Sequence, residues 1–177
     1  FLLTSREVAL YSIPAQIMIG FTMLFSIMGT TFSPKIASML RDKNYPEVRK
    51  LNKSAIRLVG SIALIGFLAI AIFGKQILYI WGEDYQTYSY PILLVLACGQ
   101  LVNVVTGFNG LILLYSGNLK ILNYITVSSL ILTPIIIILL VHFFGLIGGA
   151  FSVSICIAGE NVIKYIFVQQ KVWKYAR

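Results

Sequence analysis

The sequence predicts an all-α integral membrane protein, a bundle of about five transmembrane helices with one cytoplasmic amphipathic helix. Apolar residues make up 58% of the 177 residues and charged residues only 11%. A soluble domain of this length cannot bury so much apolar surface. Charge-free runs at 8–34, 58–74, 85–119 and 121–159 also match or exceed the length of a membrane span, which needs roughly 20 apolar residues.

The predicted spans follow these runs in order. The first run gives a helix at about 8–32, the second one at 58–73, and the third one at 91–114, which closes at YSGN. The fourth run is too long for one helix and breaks at FGLIGG, where glycines favour a tight turn. It therefore gives helices at about 122–143 and 148–168. We expect all five to form a single transmembrane domain over residues 1–177.

The basic residues indicate how the helices are oriented. With the first helix running inward, twelve of the fourteen Lys and Arg residues lie on the inner side, all except Arg6 and Lys75. Such an asymmetry is typical of cytoplasmic loops and tails. We therefore expect a multi-pass protein of the bacterial cytoplasmic membrane with a cytoplasmic C-terminus. The net charge of +8 then reflects topology, and we expect no nucleic-acid partner.

The segment 34–57 is predicted to be a cytoplasmic amphipathic segment. Pro46 suits the first position of a helix, and Val48, Leu51 and Ala55 recur at helical spacing on one face. A basic helix of this kind is expected to lie on the inner leaflet, although an ordinary solvated loop would obey the same charge rule. The basic residues of this segment are Arg41, Lys43, Arg49, Lys50, Lys53 and Arg57.

The fifth predicted helix carries Glu160, Asn161 and Lys164 inside an apolar stretch. An acidic residue at the centre of a membrane helix costs roughly 3 kcal/mol, so it should face protein or a wet cavity. Lys164 follows Glu160 by four residues, which is the favourable order for an ion pair within a helix. We predict that these residues belong to a substrate or ion pathway, while a purely structural pair remains the alternative.

Other spans carry polar residues as well. Gln100 and Asn103 lie on one face of the third helix, Asn109 lies on a different face, and the first helix carries Gln16. They are further pathway candidates, although membrane helices also use polar residues to pack together. The single His and the lack of a Cys/His cluster predict no metal site, no cofactor and no enzyme activity.

Four further motifs follow one another in order along the chain. They are EVALYSIPAQI at the head of the first helix, SPKIASMLRDKNYPEVRKL after it, ILYIWGEDYQTYSYPILLVLACGQL before the third, and FGLIGGAFSVSIC before the fifth. Together they resemble the motifs of bacterial polysaccharide flippases, in the superfamily of multidrug, oligosaccharidyl-lipid and polysaccharide exporters. The chain departs from the usual pattern at Ala9, Ala37 and Gly149, where Gly, Ser and Ala are usual.

The resemblance implies that this chain is the C-terminal lobe of a transporter with 12–14 helices, whose missing N-terminal half is its partner. Such a transporter moves a polyprenyl-pyrophosphate-linked oligosaccharide from the cytoplasmic to the outer leaflet, for O-antigen or capsule biosynthesis. The main pyrophosphate-binding residues would lie in the missing half. A multidrug cation antiporter of the same superfamily is the first alternative, with Glu160 as coupling carboxylate. A non-transporting membrane scaffold is the second.

Overall fold

A computed structural model describes residues 4–176, except for the side chains of Leu24, Tyr175 and Ala176. Within this part of the chain every regular element is helical and no strand occurs. Four helical segments are long and apolar enough to cross a membrane, namely Ser5–Arg41, Tyr45–Tyr79, Tyr85–Thr106 and Leu119–Lys171. The elements in order are α1 (Ser5–Arg41), α2 (Tyr45–Tyr79), a π-helical turn (Tyr85–Ser89), α3 (Tyr90–Thr106), α4 (Asn109–Tyr115), α5 (Leu119–Lys171) and a 3₁₀ turn (Trp173–Ala176).

Helix α1 begins at a capping box and ends well beyond the predicted boundary at residue 32. The Thr4 side chain accepts a hydrogen bond from the Glu7 amide, and the Glu7 carboxylate accepts one from the Thr4 amide. These two bonds satisfy donors that a helix start leaves open. The helix then continues through two prolines to Arg41.

The separate amphipathic helix predicted within 34–57 is not confirmed. Residues 45–57 are the first turns of α2, which runs without a break to Tyr79. Its inner face buries Val48, Asn52, Ala55 and Val59, whereas Leu58 is 53% exposed. The apolar face of the segment is therefore covered by the rest of the bundle, because the 48, 52, 55, 59 spacing directs these side chains toward protein.

Helix α5 is a hairpin of two arms, residues 119–144 and 146–171. Gly145 has φ 59° and ψ −141°, a conformation outside the helical region that glycine alone adopts without strain. The Ser152 hydroxyl shares its proton between the carbonyl of Gly148 at 2.6 Å and that of Ile136 in the other arm at 3.3 Å. A straight helix would separate residues 136 and 152 by about 24 Å. The two arms therefore run antiparallel, and the break falls inside the predicted FGLIGG turn.

The predicted third span, 91–114, is interrupted. Helix α3 ends at Thr106, Gly107 follows with φ 78°, and α4 begins at Asn109. The break is stabilised from α2, where the Asn52 carbonyl oxygen accepts a hydrogen bond from the Phe108 amide at 3.2 Å. A side chain at Gly107 would meet Ile56 at 2.7 Å and Asn52 at 2.9 Å. Where the sequence predicted one helix, the structure has α3 and α4, because α2 approaches the chain closely at Gly107.

Two buried clusters hold the bundle together, one toward each end. The first includes Leu78, Ile92, Leu93 and Ala150, and the second includes Val48, Ile112, Val168 and Trp173. One polar contact at each end joins residues that are distant in the sequence. Arg6 pairs with Asp84 at 2.5 Å, and at the other end the hydroxyl groups of Ser33 and Tyr115 lie 2.8 Å apart.

Candidate functional site

A cleft of about 590 Å³ lies between α1, α3, α4 and the two arms of α5, and polar and apolar side chains both line it. It stands out because its polar side chains come from three helices of an otherwise apolar bundle. The polar and charged side chains that line it are Thr22, Ser26, Thr30, Ser33, Gln100, Asn103, Glu160, Asn161 and Lys164. Five of the seven residues that the sequence indicated as pathway candidates therefore come together in one place.

A chain of amides forms the wall between α3 and α5. Asn161 donates from Nδ2 to Oδ1 of Asn103 at 2.9 Å and to the carbonyl of Ile157 at 2.9 Å. Asn103 in turn donates from Nδ2 to Oε1 of Gln100 at 3.1 Å. Each of the three side-chain amides thus takes part in a hydrogen bond, and the bond between Asn161 and Asn103 joins α5 to α3.

The charged wall of the cleft is the pair formed by Glu160 and Lys164. The Lys164 ammonium donates a hydrogen bond to Oε1 of Glu160 at 2.5 Å. The Lys164 side chain is 15% exposed and the Glu160 side chain is 25% exposed. An ammonium has three donors, and within the described residues this is the one hydrogen bond of Lys164. The pair is neutral overall but leaves donor capacity on the surface of the cleft.

Helix α1 supplies a wall that the sequence analysis did not single out. Thr22, Ser26, Thr30 and Ser33 follow one another at steps of four, four and three residues. Thr22 and Thr30 donate their hydroxyl protons to carbonyls of their own helix, which leaves the hydroxyl oxygens able to accept. Their helical spacing could have indicated this polar face from the sequence, because it places all four side chains on one side of α1.

The two remaining pathway candidates lie elsewhere. Gln16 is exposed on α1 and does not line the cleft. Asn109 is 1% exposed at the start of α4, where its Nδ2 donates to the carbonyl of Thr106 and its Oδ1 has no partner among the described residues. The structure therefore places Asn109 in the packing around the α3–α4 break.

An apolar groove of about 180 Å³ adjoins the cleft between α1, α2 and α3. Its lining includes Met18, Phe21, Phe67 and Leu101, and Gln100 is the polar side chain among the groove residues. Phe25 and Gln100 line both the groove and the cleft. The cleft that carries the polar side chains is thus continuous with an apolar groove, an arrangement suited to a molecule with a polar head and an apolar tail.

The basic residues of segment 34–57 do not contribute to the cleft. Arg41, Lys43, Lys50, Lys53 and Arg57 are exposed, and Arg49 is half-buried. Among residues 4–176 no group of three His, Cys, Asp or Glu side chains is placed to hold a metal ion. Glu160 and Lys164 are therefore the charged groups available to a ligand in the described part of the cleft.

Comparison with known proteins gives one distant relative. The chain is 27% identical over 172 residues to a Shigella flexneri protein named "Putative O-antigen transporter", a match that covers 97% of the chain and 39% of the relative. The chain thus spans about two fifths of the length of that relative. No protein-family model matches the chain, and no solved structure does. The similarity supports a distant relationship to flippase-like transporters, and the long apolar helices indicate a membrane-embedded protein.

Proposed function

We propose that this chain is one lobe of a transporter that carries a polyprenyl-pyrophosphate-linked oligosaccharide from the cytoplasmic to the outer leaflet of the bacterial inner membrane. In this proposal the chain crosses the membrane five times, since the two arms of α5 each form a span. The basic end of the bundle and the C-terminus lie in the cytoplasm, as the Lys and Arg distribution favours. A second lobe outside this chain closes the cleft.

The observation that carries the proposal is the polar cleft inside an apolar bundle. Polar and charged side chains at membrane depth are costly unless they line a wet cavity or a substrate path, and here α1, α3 and α5 direct theirs toward one cleft. The named relative gives independent support, because its name describes a transporter of O-antigen.

The cleft and the apolar groove match the two parts of such a substrate. The sugar hydroxyl groups would exchange hydrogen bonds with the amide wall and with the hydroxyl groups of α1. Lys164 is the local contact for the anionic pyrophosphate, while Glu160 holds the ammonium in place. The isoprenoid tail would lie along the groove that begins at Phe25 and Gln100. Rocking of the two lobes would then expose the cleft to alternate sides of the membrane.

Two substitutions in the full-length transporter test this proposal. Lys164→Met keeps the aliphatic stem and removes the cation, so export of lipid-linked glycan should fall by about tenfold or more, the value of one charge-assisted hydrogen bond. Glu160→Gln keeps the shape and removes the anion, and export should fall less. Lys120→Met is the matched control, because Lys120 is exposed and does not line the cleft. Surface glycan is measured against protein abundance in cells that lack their own copy of the transporter.

A cation antiporter is the second candidate, favoured by the presence of a carboxylate in the cleft. Under that function Glu160 would bind the coupling proton or sodium ion. Loss of transport in Glu160→Gln alone, together with uptake of a cationic dye by proteoliposomes, would favour it. Wild-type export by both cleft variants at normal abundance would contradict both transport functions and leave a scaffold role.

A further inference from the structure

A second pocket, separate from the cleft, lies at the end of the bundle where α2 begins. It has a volume of about 290 Å³ and is lined by Arg49, Gln169, Gln170, Trp173 and Lys174. It forms because the chain folds back after α5: Trp173 is 5% exposed and packs in the same core as Val48 of α2. The pocket walls are thus fixed by buried packing, although the pocket itself is open at the surface.

The described residues that line this pocket carry uncompensated positive charge. Arg49 and Lys174 both line it, no lining residue is acidic, and neither cation forms a hydrogen bond or ion pair with the described residues. Two amide side chains and an indole add further donors. Two unpaired cations within one pocket repel each other, and a bound anion would remove that repulsion.

The geometry points to a binding site for the phosphate of an anionic phospholipid head group. Arginine and lysine together suit a phosphate, the first through its planar fork and the second as a point charge. A lipid is favoured over a free ion because the pocket lies at the basic end of helices that are long and apolar enough to cross a membrane, the end that the positive-inside rule places beside the anionic leaflet. Basic pockets between membrane helices take such head groups. This inference does not depend on what the cleft transports.

The experiment measures lipid retention by the purified full-length protein with native mass spectrometry. The probes are phosphatidylglycerol and phosphatidylcholine of equal chain length, each added to delipidated protein. The test variant is Arg49→Gln/Lys174→Gln. The control variant is Arg41→Gln/Lys43→Gln, which removes the same charge from exposed positions outside the pocket. A third variant, Lys174→Arg, keeps the charge.

We expect tighter retention of phosphatidylglycerol than of phosphatidylcholine. The test variant should retain about 100-fold less of the anionic lipid, since each charge-assisted hydrogen bond from a pocket cation to the phosphate contributes about tenfold or more. The control variant and Lys174→Arg should retain the anionic lipid. Equal retention of the two lipids would overturn the inference. So would an equal loss in the control variant, which would indicate general surface attraction. Displacement of the lipid by inorganic phosphate at equal concentration would overturn it in favour of a free-anion site.

Discussion

Replacing Gly148 with alanine should break the turn that folds α5 into a hairpin. A Cβ atom at this position would collide with the backbone carbonyl of Leu140 in the other arm and lie 3.0 Å from the amide nitrogen of Val141. These are backbone atoms, so no side-chain rotation relieves the overlap. The arms would have to separate, and the hydrogen bond from Ser152 to Ile136 would lengthen beyond its present 3.3 Å.

The expected net loss of stability is about 1–3 kcal/mol. Overpacking at a close contact costs roughly 1–3 kcal/mol, and the weakened hydrogen bond between helices adds about 0.6 kcal/mol. The alanine gains little in return, because its better helix propensity is worth at most about 1 kcal/mol. The net effect is therefore destabilising even at the lower end of the range.

The assay is unfolding of the full-length protein in detergent. The measured quantities are the apparent midpoint temperature and the free energy of unfolding. Gly149→Ala is the matched control, because its Cβ atom would meet only side chains, Tyr11 at 3.5 Å and Val141 at 3.6 Å, which are ordinary contacts. Gly148→Ala should unfold well below the wild type, and Gly149→Ala close to it. Equal stability of the two variants would refute the hairpin geometry that we derive from these contacts.

Two further predictions concern named contacts, and a third concerns the orientation of the chain in the membrane. Lys164→Met should lower the free energy of unfolding by about 2 kcal/mol by leaving Glu160 unpaired, and adding Glu160→Gln should restore most of it; an undiminished loss in the double variant would contradict a pairing role. Asn52→Leu should cost about 1–3 kcal/mol in the same assay, because the Phe108 amide loses its acceptor; a neutral effect would contradict the role of this bond. A Lys43→Cys variant without other cysteines should resist an impermeant thiol reagent added outside; rapid labelling would contradict the topology.

The sequence predicted the helical class and the turn within α5 for local reasons. Long apolar runs determine helix type almost alone in a membrane protein, since every backbone polar group must be satisfied within its own segment. The glycines of FGLIGG indicated the break, and Gly145 does adopt a non-helical conformation. The hydroxyl residues of α1 that line the cleft also follow a local pattern, since they recur at helical spacing. The sequence predicted Gln16 as the pathway residue of this helix, and Gln16 does not line the cleft.

The remaining features depend on contacts between distant parts of the chain. Asn52 lies among the basic residues of segment 34–57, yet it is 7% exposed and its carbonyl oxygen accepts a hydrogen bond from the amide of Phe108 at the α3–α4 break. The predicted span 91–114 includes Gly107 and Asn109, but α3 ends before both residues. No local pattern indicates these outcomes, because each requires knowing that α2 approaches α3 closely enough to supply an acceptor.

The contacts between α3 and α5 bear on why a charged pair is present in the cleft. Asn161 donates to Asn103 across the interface, and the Ser154 hydroxyl donates to the Val95 carbonyl at 2.9 Å. Gly99 lies so close to Ser154 that a Cβ atom there would come within 2.8 Å of its Cα. Close packing and these bonds already hold the two helices together, as small and polar residues do in membranes.

Glu160 and Lys164, by contrast, bond only to each other among the described residues. They contribute no hydrogen bond between helices, and a glutamine–methionine pair would fill similar space without the cost of placing charges at membrane depth. Their position in the cleft is therefore poorly explained by helix packing. A requirement for charge in the cleft itself explains it better, and this argues for a ligand that interacts with the ammonium, the carboxylate or both.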